Sequence, residues 1–246
     1  MSQLDTTTQL LMNLHEQARS SIDLTVSSNS ASLGELLRLD LDIKAFEERI
    51  SERPEVTQLR SARKELGYAI YAAAAGQYRM AYGSVRLFLE LGFAAVYFSA
   101  NELKRRKWLS DRGDFSWSKA LDEDEGVLSK SFVMEFNEKA ADHATIYAKS
   151  AAQCYRHCSQ FIHGKASVTD HLPDGFEYSP DVLVDWLKTS KKSAESVLYL
   201  LYCRYADELL ENDDGHDLRA VIEYSFRHIS EVRNTLGLAQ GGGKSG

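Results

Sequence analysis

Apolar residues recur along most of this chain at intervals of three and four, the spacing that places them on one face of an α-helix. Leu10, Leu11, Leu14, Ala18, Ile22 and Leu24 predict a first helix over residues 6–25, behind a threonine-rich cap. A run of Ser, Asn and Ala at 27–32 reads as a loop by composition. Leu36, Leu37, Leu39, Leu41, Ile43 and Phe46 then resume the helical pattern as far as Ile50, and Pro54 breaks it. A helical pattern over 55–75 is separated by Gly76 from a second over 77–100, whose wealth of Ala, Leu, Phe and Tyr predicts a central position.

After an acidic turn at 122–126 and a brief apolar segment at 131–137, Ala141, Ala144, Tyr147, Ala148, Ala151 and Tyr155 predict a helix whose small residues permit close packing. Ser179 followed by Pro180 is a helix start, a cap residue with proline at the first helical position. Val184, Trp186, Leu187, Val197, Leu198, Leu200, Leu201 and Tyr205 carry that helix on, with a break expected near 189–193. Residues 211–215 form a polar linker, and Leu218, Ile222, Phe226, Ile229 and Val232 mark a last helix. There is no internal repeat and no strand-like alternation. The expected fold class is therefore all-α: an antiparallel helical bundle with an N-terminal helical extension. The boundaries are 1–53 for the extension, 54–212 for the bundle, 213–238 for the C-terminal helix and 239–246 for a flexible tail.

Charge narrows the chemistry. The 246 residues carry 29 Lys and Arg against 36 Asp and Glu, a net charge of −7, which argues against coating nucleic acid by bulk electrostatics. Any RNA contact must be local. The densest basic run is Lys104-Arg105-Arg106-Lys107, followed by Trp108. It reads as a solvated helix end or as a phosphate track with an aromatic platform. Cys154, Cys158 and Cys203 cannot all pair within one chain and read as buried, reduced thiols. The four carboxylates at 122–125 lack the ligand spacing of a calcium loop, and no other cluster has metal spacing, so neither metal nor cofactor is expected. The first residues lack the basic region and long apolar run of a secretory signal. The most apolar stretch, 88–100, is short for a membrane span and contains Glu90. A cytoplasmic protein with no membrane association is expected.

The candidate chemistry lies in Cys154-Tyr155-Arg156-His157-Cys158-Ser159-Gln160-Phe161-Ile162-His163-Gly164-Lys165. Arg156, Gln160 and His163 fall at i, i+4 and i+7, one stripe of a helix, with about 10 Å of rise between the arginine and the second histidine. Gly164 is placed to end that helix in the left-handed conformation. Upstream, Arg86 and Glu90 are i, i+4 neighbours in an apolar helix. They read either as a structural ion pair or with Glu90 orienting Arg156 or His163.

Arginine, a polar residue and a histidine at a helix end resemble the R-x(4-6)-H motif of the HEPN superfamily, with six residues separating Arg156 from His163. Arg86-Leu87-Phe88-Leu89-Glu90 is similar to the family's first core helix, and 155–164 resembles uncharacterised or abortive-infection-like branches rather than the best-studied ones. The resemblance covers roughly residues 60–205. It implies a metal-independent endoribonuclease in phage defence or a toxin–antitoxin or stress system, acting as a homodimer with two motifs lining one cleft. A protein partner within such a system is a further expectation. The implied catalytic residues are Arg156, His163, Glu90 and Gln160. RNA contacts are expected from Lys104, Arg105, Arg106, Lys107, His157 and Lys165. The alternative is a non-catalytic helical scaffold or regulatory subunit, in which Arg156 is structural.

Overall fold

The computed structural model describes residues 3–211, 216–230 and 232. In chain order the helices are α1 (Gln3–Arg49), α2 (Val56–Ala74), α3 (Tyr78–Ala100), α4 (Glu102–Leu109), α5 (Trp117–Ala120), α6 (Lys130–Phe136), α7 (Ala141–Ile162), α8 (Ala166–Thr169), α9 (Pro180–Glu211) and α10 (His216–Phe226), with a 3-10 turn over Glu138–Ala140. No strand occurs among the described residues, so the fold is all-α. Part of the polar linker, at 212–215, and the glycine-rich stretch at 239–246 lie outside the described residues.

Side-chain pairings fix the direction of each long helix. Arg63 on α2 bridges Asp40 and Glu47 on α1, and α2 turns back into α3 at Gly76. Tyr82 stacks on Phe161, and Glu90 accepts a hydrogen bond from Tyr155, which sets α7 antiparallel to α3. Tyr82 with Asp185 and Ser99 with Arg204 set α9 parallel to α3. α3 and α9 therefore form the middle of the bundle. They approach closely at Gly92, where a Cβ atom would stand 2.9 Å from Cγ2 of Val197. Only hydrogen fits there.

The core follows from the periodicity. Leu36, Leu39, Ile43 and Phe46 of α1, and Ile50 just after it, belong to the same buried cluster as Leu59, Leu66, Val85, Phe88, Trp186 and Leu198. Each such side chain contributes about 1.5–3 kcal/mol on burial. α3 is the one described helix long and apolar enough to span a membrane by length and composition, and half of its most apolar window is buried. Its apolar surface is what places it at the bundle centre, against α2, α7 and α9.

Two expected interruptions differ from the structure. The segment 27–32 is a kink within α1 rather than a loop: only Asn29 leaves helical geometry (φ −134°, ψ 21°), and its amide donates to the Tyr178 hydroxyl. α9 runs unbroken through 189–193. The hydroxyls of Thr189, Ser193 and Ser196 donate to the carbonyl four residues earlier, so these polar residues satisfy themselves inside the helix that their composition argues against.

Candidate functional site

α7 is held on the bundle by Ala144, Ala151, Cys154, Cys158 and Phe161, which recur at helical spacing and are buried. The opposite face carries Asp142, Ile146, Lys149, Gln153, Arg156, Gln160 and His163, alternating by four and three residues. The helix ends as its sequence predicts. Gly164 adopts φ +61°, its N–H donates to the Phe161 carbonyl, and the Lys165 N–H donates to that of Gln160. These two bonds satisfy carbonyls that the last turn leaves open. Arg79, from the first turn of α3, donates to the Ile162 carbonyl at 3.2 Å. It is a cation beside the motif that sequence spacing does not reveal.

On the outer face of α7, Arg156 and His163 are exposed and Gln160 is half-buried. None of the three side chains has a hydrogen-bond or ion-pair partner within the described residues. Lys165, which follows the glycine, is likewise exposed and unpaired.

Glu90 lies elsewhere. Its Oε1 accepts hydrogen bonds from the Tyr155 hydroxyl at 2.7 Å and from Arg86 at 3.0 Å, and Arg86 also donates to that hydroxyl at 2.6 Å. The guanidinium lies over the Tyr155 ring, and Trp117 stacks on the ring at 4.3 Å. Burial, and then the hydrogen bond to Glu90, raise the Tyr155 pKa. Glu90 is hydrogen-bonded to neither Arg156 nor His163. The ion-pair reading of Arg86 and Glu90 is the one the structure bears out, extended by a tyrosine.

His157 turns toward the bundle. Its Nε2 donates to Asp185 Oδ2 at 2.7 Å, and the Tyr82 hydroxyl donates to the same oxygen at 2.6 Å. The His157 hydrogen bond holds the Asp185 carboxyl below the usual carboxylate range, against the upward push of burial. Burial, reinforced by Asp185, raises the Tyr82 hydroxyl pKa. The ring of His157 packs edge-on against both Tyr82 and Phe161, which stack on each other at 3.7 Å. These residues line an open cavity of about 260 Å³, bordered by α8 and the segment after it. Asp185 joins His157 across 28 residues of sequence. The only hint of it is a pair of acids, Asp181 and Asp185, one turn apart at the start of α9.

The basic run does not join the motif. Arg79 contacts the end of α7, whereas α4 follows the other end of α3, about 30 Å away along the helix axis. Within α4, Arg105 and Arg106 are paired with Glu102, while Lys104 and Lys107 are exposed and have no ion-pair partner among the described residues. Trp108 packs against Phe98 and is not a free platform. The two arginines hold the Glu102 carboxyl down at about 2. A larger cleft of about 390 Å³ lies between 121–129 and α7, lined by Asp122, Glu123, Asp124 and Lys149 without an aromatic or a histidine. Asp122 accepts from the backbone N–H groups of Asp124 and Glu125, as in a solvated acidic turn. No three His, Cys, Asp or Glu side chains converge to hold a metal ion among the described residues. The three cysteines are free and buried, with thiol pKa values raised by burial.

No protein-family model, curated protein or solved structure matches this chain.

Proposed function

We propose that the protein is a metal-independent endoribonuclease of HEPN type, with Arg156 and His163 as its catalytic pair. The observation that carries the reading is the position of Arg156, exposed on α7 without an intramolecular partner. In the scaffold alternative Arg156 is structural. An arginine with no contact to hold does not serve that role, whereas a phosphate-binding arginine must be free. His163 on the same stripe, fixed at the helix end by the Gly164 turn, is placed to move protons.

In this reading the RNA 2′-hydroxyl is the nucleophile. His163 takes its proton, the 2′-oxygen bonds to phosphorus, and the 5′-oxygen leaves with a proton returned by a histidine. Arg156 neutralises the charge that builds on the phosphate. The products end in 2′,3′-cyclic phosphate and 5′-hydroxyl. Gln160, between the two, remains available to orient the phosphate. Glu90 is already held by Arg86 and Tyr155, so its part is to fix Tyr155 and with it the rotation of α7.

One helix holds Arg156 and His163 about 10 Å apart along its axis, so the active species is a homodimer that pairs two copies of this face about a two-fold axis. The setting is phage defence or a toxin–antitoxin or stress system, with a protein partner that controls activity.

The test is incubation of purified protein with RNA, with DNA and with RNA carrying a 2′-deoxy substitution at the cut site, in excess chelator. Cleavage of RNA alone, lost in Arg156→Ala and His163→Ala with helicity unchanged, is the expected result. Retained activity on the 2′-deoxy substrate, or activity in either variant, would reject the mechanism.

A further inference from the structure

The cavity behind the motif has no part in the chemistry just described, and its walls are selective. The stacked and buried rings of Phe161 and Tyr82 form its floor, Val168, Leu172 and Val182 supply further apolar surface, and Asp181 and Asp185 supply the carboxylates. At about 260 Å³ it falls below the roughly 300–1,000 Å³ of drug-sized sites, so it accommodates a single planar ring system. Asp185 Oδ2 is occupied by His157 and Tyr82, while its Oδ1 has no partner among the described residues. Asp181, one turn earlier on the same helix, is exposed and has no partner among the described residues. Asp181 stands in the first turn of α9, where the helix dipole favours a carboxylate, and it lines the same cavity as Asp185. Ionised carboxylates only accept hydrogen bonds, so the ligand must bring donors. Ser167 and His171, from the segment that borders the cavity, can donate in return.

We propose that this cavity takes a guanine base, unstacked from single-stranded RNA. Guanine presents N1–H and N2–H as an adjacent fork, the complement of a carboxylate's two oxygens, and N7 and O6 as acceptors for a hydroxyl or an imidazole. Uracil presents one donor between two carbonyls, which the carboxylates repel. Unstacked bases read along their edges against aromatic and apolar side chains are the usual currency of sequence-specific RNA binding. The chain between the cavity and the motif is short: Lys165 and His163 lie within four residues of Ser167, and Arg79 packs beside Gly164. A nucleotide seated here has cations at hand for its phosphate. The polymer in this inference rests on the ribonuclease reading, but the base does not.

The test is therefore direct binding, by calorimetry on the full chain, of guanosine, inosine and uridine 5′-monophosphates, with 2-phenylethylamine as a cationic competitor. Inosine lacks only the exocyclic amine. Guanosine monophosphate is expected to bind about tenfold or more tightly than the inosine form, with the uridine form weakest. Asp181→Asn is expected to remove the guanosine–inosine difference. Val168→Trp, which fills the cavity from α8, is expected to abolish binding of all three. Equal binding of guanosine and uridine monophosphates, no saturable binding of the former, or tighter binding of 2-phenylethylamine would overturn the proposal. Selective guanosine binding without RNA cleavage would leave the cavity assignment standing and remove the nuclease, and cleavage without selective binding would do the reverse.

Discussion

Tyr155 and Arg156 are neighbours in sequence and face different environments. The Tyr155 hydroxyl is clasped by Glu90 and Arg86 under the Trp117 ring, while the Arg156 guanidinium stands in solvent without a partner. A helix turns about 100° per residue, so one step carries the chain from a packed polar cluster to an open face. Every polar role on α7 follows from that rotation.

The two arginines should therefore separate stability from activity. Arg86→Ala leaves Glu90 and the Tyr155 hydroxyl without their shared donor in a partly buried site, and should lower the unfolding free energy by about 1–3 kcal/mol. Arg156→Ala should change stability by no more than about 0.5 kcal/mol while abolishing RNA cleavage. Urea denaturation beside a cleavage assay checks both. Equal destabilisation by the two changes would contradict the assignment.

Asp185→Asn should give a stability difference that depends on pH. The folded-state pKa of Asp185 is depressed, so its contribution is fully present above its unfolded pKa of about 3.9 and is lost as pH falls through the lower folded value. The side chain is half exposed, so solvent screening keeps the contribution to no more than about 1 kcal/mol. Wild type and variant should differ at pH 5–7 and converge below pH 4. A difference that grows with acid would be inconsistent with a depressed carboxyl.

Gly164→Ala places a side chain at φ +61° and should cost about 1 kcal/mol. There is open room for a Cβ atom, since Arg79 is the nearest neighbour at 3.7 Å, so the penalty is backbone strain rather than collision. His163 precedes this turn, and catalysis should suffer more than stability. Comparing the kcat loss with the shift in denaturation midpoint tests this, and a variant with unchanged kcat would detach His163 from the turn.

At Gly92 the obstruction is steric. Gly92→Ala puts a methyl group 2.9 Å from Val197 Cγ2 and should destabilise by about 1–3 kcal/mol. Val197→Ala removes the opposing methyl groups, so the double variant should recover part of the loss, with a coupling of about 0.5–3 kcal/mol. Strict additivity would show that α3 and α9 do not meet as described.

The helices were legible because their signal is local. Apolar residues at three- and four-residue spacing mark α2 and α3 to within a residue, and the existence of α7 and α9, whose far bounds differ by three and six residues; Gly76, Gly164 and Pro180 punctuate them. The sequence by itself also placed Arg156, Gln160 and His163 on one stripe, because 3.6 residues per turn is a property of the backbone and needs no partner. Polar composition misled it at 189–193 and in part at 27–32. Hydroxyls that bond to their own helix carbonyls leave no trace in a composition window. Only the tertiary structure decided which partner each polar group meets. Glu90 lies within reach of several cations in any sequence-level reading, yet the register of α3 against α7 gives it to Tyr155. His157 reads as one more cation beside the motif, yet the crossing of α7 and α9 gives it Asp185 and a cavity. Those choices depend on the rotation and axial offset of helices 28 to 69 residues apart in the chain, which the packing of their apolar faces settles collectively and no local spacing encodes.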